Sequence, residues 1–324
     1  MVRGITQPLT NFGEVTGRQD SRSLAAVTKA LHSLHSPNHL MKKHPSFRIA
    51  VSALLLGVAL PLHAQTTETK PPAKATAFVI PADINGLKTI IAAPAKTKPL
   101  KVAIFDGKGA GASGIDSTES RIQSIPQATV TRVKAEDWAT IDLKPFDVVA
   151  FSGGSGSAQA EAIGEAGRNN VREYVRGGGG FVGICAGAYL ACSNFKWGLG
   201  ILNASTVSSK WQRGQGFMDL EITDEGRKLL GDVRGTFKVR YHNGPIIKPA
   251  ERTDVPAYTP VALFRSEIAE FGSPVGVMVN SPAQALGTFG QGRVFISSPH
   301  PENTPGLEHL IPRGVLWAGG IDAP

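Results

Sequence analysis

Two short stretches carry residue types that could do chemistry together. The first, residues 177–192, reads GGGGFVGICAGAYLAC and holds both cysteines of the 324-residue chain. Within it GICAG, residues 183–187, sets a glycine two residues to either side of Cys185. A strand that reverses sharply into a helix needs small residues at those flanks, and the pattern is the cysteine form of the G-x-S-x-G nucleophile elbow. Such a turn thrusts Cys185 into a cleft, where a helix N-terminus and free backbone N–H groups favour the thiolate at neutral pH. Cys192 follows seven residues later, roughly 10 Å along the same helix axis. A disulfide needs Cα atoms within about 7 Å, so the spacing predicts two thiols, with Cys192 a small apolar core residue.

The second stretch is RVFISSPHPE, residues 293–302. A strand ends here, and Pro299 and Pro301 hold Ser298 and His300 extended. Residues two apart in extended chain point the same way, so Glu302 can orient the imidazole of His300. Nucleophile, base and orienting carboxylate are then all present. Alone, H-P-E fits a surface turn; the elbow upstream gives it chemical meaning.

These residues need a frame to bring them together. Strand candidates KVAIFD (101–106), ATVTRVK (128–134), DVVAFSGG (147–154) and FVGIC (181–185) alternate with two helix candidates. One is a polar segment from Ser117 to Ile125. The other spans residues 157–176, with Ala162, Ala166, Val171 and Val175 on its buried face. Alternation of this kind predicts a parallel sheet with helices on both faces. The second half is richer in strands: ILNASTV, FMDLEIT, TFKVRYH, PVALFR, PVGVMVN, QALGTFG and RVFISS. It predicts an added antiparallel portion before the chain returns to the main sheet. Ligands of such sheets sit beyond the carboxyl ends of the strands, so the loops after Asp106, Gly154, Cys185 and Ser298 should share one rim.

Ahead of this body, residues 41–64 have the layout of a secretory signal peptide: a basic start, an apolar run from Ile49 to Leu62, and Ala64 before a polar segment. The run is short of the roughly 20 residues of a transmembrane helix, and the expectation is a soluble protein exported to the periplasm or beyond. Met41 is then the translation start, and residues 1–40 are a non-native or disordered extension. Residues 65–100, rich in Thr, Lys, Pro and Ala, read as a flexible linker, and residues 101–324 as one domain. Composition is ordinary for a globular protein, with 41% apolar and 19% charged residues. The formal charge of +8 shrinks once residues 1–64, with seven Lys/Arg and two acids, are set aside. The remainder carries 27 basic and 24 acidic residues, a net of +3. Nucleic-acid binding loses its main support, and no membrane contact is expected after signal cleavage.

A G-x-C-x-G elbow with a late strand running into H-P-E resembles the class I glutamine amidotransferase superfamily. The resemblance implies an α/β fold with a flavodoxin-like parallel sheet and a triad of Cys185, His300 and Glu302. GGGGFVGICAGAYLA together with YHNGP, residues 241–245, is more closely similar to the N-terminal domain of biotin-protein ligase, a domain that also occurs as stand-alone, often exported, proteins. The likeness covers roughly residues 100–320. It implies an oxyanion hole made by the N–H of Ala186 and that of Gly153 or Gly154. It also implies that Tyr241, His242 and Asn243 line the cleft and recognise an amide or carboxylate, the alternative being a hydrogen-bonded turn. Trp211, Arg213 and Gly214 in KWQRGQG suggest a flap over the cleft.

The chain departs from the family pattern at Tyr189, where glutamine-hydrolysing members have Gln at a position that shapes the substrate pocket. Glutamine is therefore not the expected substrate, and no ligase module is expected either. A rival motif, GAGASG (109–114), matches G-x-G-x-x-G with Glu136 downstream. Asp106, Gly107 and Lys108 separate it from its strand, and the helix after it is short and polar, so no nucleotide cofactor is expected, nor a metal. Two classes of function remain: a hydrolase of a small-molecule or peptide amide through Cys185, or a binding module on the same scaffold.

Overall fold

The computed structural model describes residues 78–86, 88–95 and 98–321. The expected signal peptide and the extension before it lie outside these residues. The first half alternates β1 (Leu100–Asp106), α1 (Ala112–Gln123), β2 (Ala128–Lys134), β3 (Val148–Phe151), α2 (Gly156–Arg176), β4 (Gly180–Ile184) and α3 (Ala186–Ala191). The second half contains β5 (Ala204–Thr206), β6 (Gln215–Ile222), α4 (Asp224–Leu230), β7 (Thr236–His242) and β8 (Ile247–Pro249). It ends with β9 (Thr259–Phe264), β10 (Pro282–Phe289), β11 (Gly292–Ser297) and α5 (Leu310–Ala318).

Nine strands form one sheet in the order β2-β1-β3-β4-β11-β10-β9-β6-β7, and β5 pairs with β8 separately. The first five of the nine are mutually parallel. Counting β11 as the fifth, their order is the flavodoxin-like 2-1-3-4-5. The remaining pairings are antiparallel, as the strand-rich second half led us to expect.

Burial explains the division. Every residue of β3 and β4 is buried, the pattern of a parallel strand covered on both faces. Successive side chains feed two cores: Val102, Ile104, Val148 and Val182 pack under α1 and α5, while Ala103, Phe105, Phe151 and Phe181 pack under α2 and α3. Phe105 and Phe151 stack at 5.2 Å, and Phe151 and Phe181 at 5.7 Å.

Several expectations are corrected. PVGVMVN (274–280) forms no strand; the Glu267 carboxylate instead accepts the N–H groups of Gly276, Val277 and Met278 at 2.7–3.1 Å and holds the segment in a turn. Helix α1 starts five residues earlier than expected, directly from the glycine-rich loop. The expected linker is fastened to the body along its described part. Asn85 donates to the carbonyls of Lys238 and Pro305 and accepts the N–H of Lys238. Ile90 and Ile91 donate to Gly306 O, and Ile91 is fully buried. A few anchoring side chains outweigh a composition typical of tethers.

Candidate active site

Cys185 sits between β4 and α3 with φ 51° and ψ −95°, a left-handed conformation that costs a non-glycine residue about 1–3 kcal/mol. The turn survives because its flanks carry no side chains. A Cβ on Gly183 would run into the Gly187 carbonyl, and a Cβ on Gly187 would run into the carbonyl of Phe151. The Cys185 N–H donates to Ser297 O at 2.8 Å, tying the elbow to the end of β11. That strand leads directly to His300.

Cys185 and His300 are each 6% exposed and Glu302 only 1%. His300 Nδ1 lies 2.7 Å from Glu302 Oε1, while the Cys185 thiol, near enough to the ring to act on its charge, donates to His242 O at 3.4 Å. Burial by itself pushes this imidazole down, yet the Glu302 carboxylate and the Cys185 sulfur outweigh it and raise His300 to about 10. The His300 backbone is equally held: its N–H donates to Arg240 O at 2.8 Å, and its carbonyl accepts from Thr304 Oγ1 at 2.8 Å. Asn303 adds a second donor to Glu302 Oε1 at 3.4 Å. No partner among the described residues reaches Glu302 Oε2.

The loop after β3 closes against this pair. A Cβ on Gly153 would lie 2.9 Å from His300 Cε1 and 3.8 Å from Cys185 Cβ, so only glycine lets the imidazole sit where it does. Gly153 O accepts from Gly111 N–H at 3.0 Å, and Ser155 N–H donates to Gly109 O at 2.7 Å. GAGASG therefore buttresses the 152–156 loop. No acceptor among the described residues takes the N–H of Gly153, Gly154 or Ala186.

A cavity of about 620 Å³ opens here, lined by Cys185, His300, Gly153, Gly154, Tyr189, His242 and Asn243. Ala186 and Glu302 lie behind its wall. Tyr241, expected in the cleft, is wholly buried: its ring meets Phe264 edge-on at 5.6 Å, and its hydroxyl donates to Gly244 O at 2.7 Å. The period of two along β7 is the reason, since Arg240 and His242 take the cavity face and Tyr241 takes the core face. Asn243, at φ 54°, accepts the N–H groups of Arg213 and Gly214 on its Oδ1, both at 2.8 Å. Its carbonyl accepts the Tyr189 hydroxyl at 3.1 Å.

Within the expected flap, Trp211 is 55% exposed and lines the cavity. The Arg213 side chain is buried and pairs with Glu267 at 3.2 Å. His242 is lowered by burial and by the nearby charges of Arg240 and His300. Helix α3 is only six residues long, shorter than the reading of Cys192 as a helical residue implied. Both thiols are free; Cys192 donates to Ala188 O at 3.3 Å and is pushed up to about 12 by burial. Sequence reasoning missed Arg240, Phe195, Trp197 and Asn303 as lining residues. Strand alternation from His242 was the one available signal, and it pointed to Arg240. Among the described residues, no group of three His, Cys, Asp or Glu is arranged to hold a metal ion, and no helix is long and apolar enough to cross a membrane.

The 2-1-3-4-5 parallel sheet with its antiparallel extension is an α/β fold with a flavodoxin-like core. Residues 100–212 match the family model Biotin-protein ligase, N terminal, which bears out over that segment the resemblance carried by the elbow. The match runs from β1 past β5 and stops before β7 and His300. Among solved structures, PurLQS from Thermotoga maritima is 14% identical with a TM-score of 0.48, covering 68% of this chain and 97% of that one. A glutamine amidotransferase is 20% identical with a TM-score of 0.43, covering 68% and 99%. No curated protein matches the sequence.

Proposed function

We propose that the protein is an exported cysteine-dependent amidohydrolase, acting on an amide or acyl substrate that is not necessarily glutamine. The observation that carries this reading is Cys185, on a strained elbow, sharing one cavity wall with His300, whose ring is hydrogen-bonded to Glu302. In the proposed reaction the Cys185 thiolate attacks the amide carbonyl carbon. The developing oxyanion is met by the unpaired N–H groups of Ala186 and of Gly153 or Gly154, where fixed donors are worth most. His300 gives its proton to the leaving nitrogen, the C–N bond breaks, and a thioester remains on Cys185. Water, losing a proton to His300, then releases the acyl group as a carboxylic acid and restores the pair. Glu302 stays ionised and orients the imidazole throughout.

Acyl transfer is tested with p-nitrophenyl acetate and mass spectrometry of the quenched protein. The expected result is one added acetyl group on Cys185, formed in the wild type and absent in His300→Ala. An unmodified Cys185 in both proteins overturns the reading and leaves a binding module. Export is tested separately, by sequencing the N-terminus of protein secreted from a bacterial host. Cleavage after Ala64 is expected, and an intact leader contradicts it.

A further inference from the structure

The cavity wall carries an unusual charge balance. Arg240, His242 and His300 line it, and no Asp or Glu among the described residues does. Arg132, Arg213, Arg227, Arg252 and Arg265 each pair with a carboxylate. Arg240 pairs with none among the described residues; its guanidinium lies over the Phe78 ring at 5.7 Å. A planar, permanently charged fork held at a cavity wall matches a carboxylate from outside, which it can bind with two parallel hydrogen bonds.

Its place sets the direction. Arg240 N–H donates to Thr304 Oγ1 at 3.0 Å, and Arg240 O accepts the N–H of His300, so the residue is seated beside the proposed proton donor. Under the hydrolase reading, His300 delivers its proton to the leaving nitrogen. A carboxylate on Arg240 therefore belongs to the leaving group. Tyr189, one turn along α3 from Cys185, begins a different wall. Its ring meets Phe195 at 6.1 Å, and Phe195 stacks on Trp197 at 4.4 Å; Trp211 also lines the cavity. This aromatic surface suits an apolar or aromatic acyl group.

We infer that the substrate is an N-acylated amino acid or short peptide, with its free carboxylate on Arg240 and its acyl group against Phe195, Trp197 and Trp211. This rests on the amidohydrolase reading above and names its substrate class. The bond cleaved is the amide whose nitrogen bears the carboxylate-carrying carbon. Water supplies hydroxyl to the acyl carbon and a proton to the nitrogen, giving a carboxylic acid and a free amino acid or peptide.

Binding tests the inference apart from turnover. In Cys185→Ala, where no acyl-enzyme can form, N-benzoylglycine, its methyl ester and N-acetylglycine are titrated by calorimetry. We expect the benzoyl acid to bind roughly tenfold or more tightly than its ester, the scale of a charge-assisted hydrogen-bonded pair. N-acetylglycine should bind more weakly than N-benzoylglycine. Adding Arg240→Gln should abolish the preference for acid over ester, and Arg240→Lys should restore part of it. Equal binding of acid and ester to the protein with Arg240 intact overturns the inference, as does no detectable binding of either. This comparison needs no Arg240 variant to fold. An acyl-enzyme on Cys185 with no carboxylate preference would reject the substrate class and keep the hydrolase; the reverse result would keep carboxylate recognition and reject turnover.

Discussion

The parallel and antiparallel halves of the sheet position side chains by different means. In the parallel half, Gly153, Cys185 and His300 project from turns at the ends of β3, β4 and β11, and each turn is fixed by glycine or proline. In the antiparallel half, Arg240 and His242 reach the cavity from β7 itself, chosen by alternation against Tyr241. A sharp turn tolerates few residue types and so leaves a motif. An alternate strand position tolerates many and leaves none. The proposed chemistry is therefore drawn from turns of the parallel half, and the proposed carboxylate recognition from a strand position of the antiparallel half.

The largest effect is expected at the parallel side. Glu302→Gln keeps the shape of the buried pair and removes the charge that orients His300. Acetyl transfer to Cys185 should slow by roughly a thousandfold or more, measured by stopped-flow release of p-nitrophenolate. A rate within a few-fold of wild type would remove Glu302 from the account.

The same pair leaves a mark on stability. Raised to about 10 from an ordinary value near 6.5, His300 binds its proton more tightly in the folded state. Its contribution is therefore complete below about pH 6.5 and is lost as pH rises through about 10. Urea unfolding of wild type and His300→Gln should show a stability difference that shrinks across this window. A pH-independent difference would contradict a charged His300 in the folded protein.

At the antiparallel side the expected effect is smaller. Tyr241→Phe removes the buried hydroxyl that donates to Gly244 O, at a cost of about 1 kcal/mol. Because Tyr241 faces the core, acetyl transfer should keep nearly its full rate. A loss comparable to that of Glu302→Gln would show that the turn after β7 takes part in the chemistry and would erase the distinction between the halves.

Legibility in the sequence follows the same line. GICAG announced the elbow because both glycines are sterically required, and the alternation of apolar runs with helical periodicity announced the parallel sheet. The antiparallel strands were visible as runs, but their pairing order was not. PVGVMVN looked like a strand and is a turn, because three of its N–H groups go to Glu267, nine to eleven residues away in sequence. Tyr241 looked like a cleft residue because the YHNGP resemblance gives adjacency, whereas facing depends on strand phase. Arg240 is marked in the sequence only by strand alternation from His242; that it has no acidic partner among the described residues is a property of the folded surroundings.

Whether His300 activates Cys185 is read from the rate at which iodoacetamide alkylates Cys185 across pH, in Cys192→Ser and in Cys192→Ser with His300→Ala. Alkylation should be fast near neutral pH, where a free thiol titrating at about 8.5 is mostly unreactive. Removing His300 should cost roughly tenfold or more at that pH. Coincident pH profiles for the two proteins would show that His300 does not activate Cys185 and would contradict the claim.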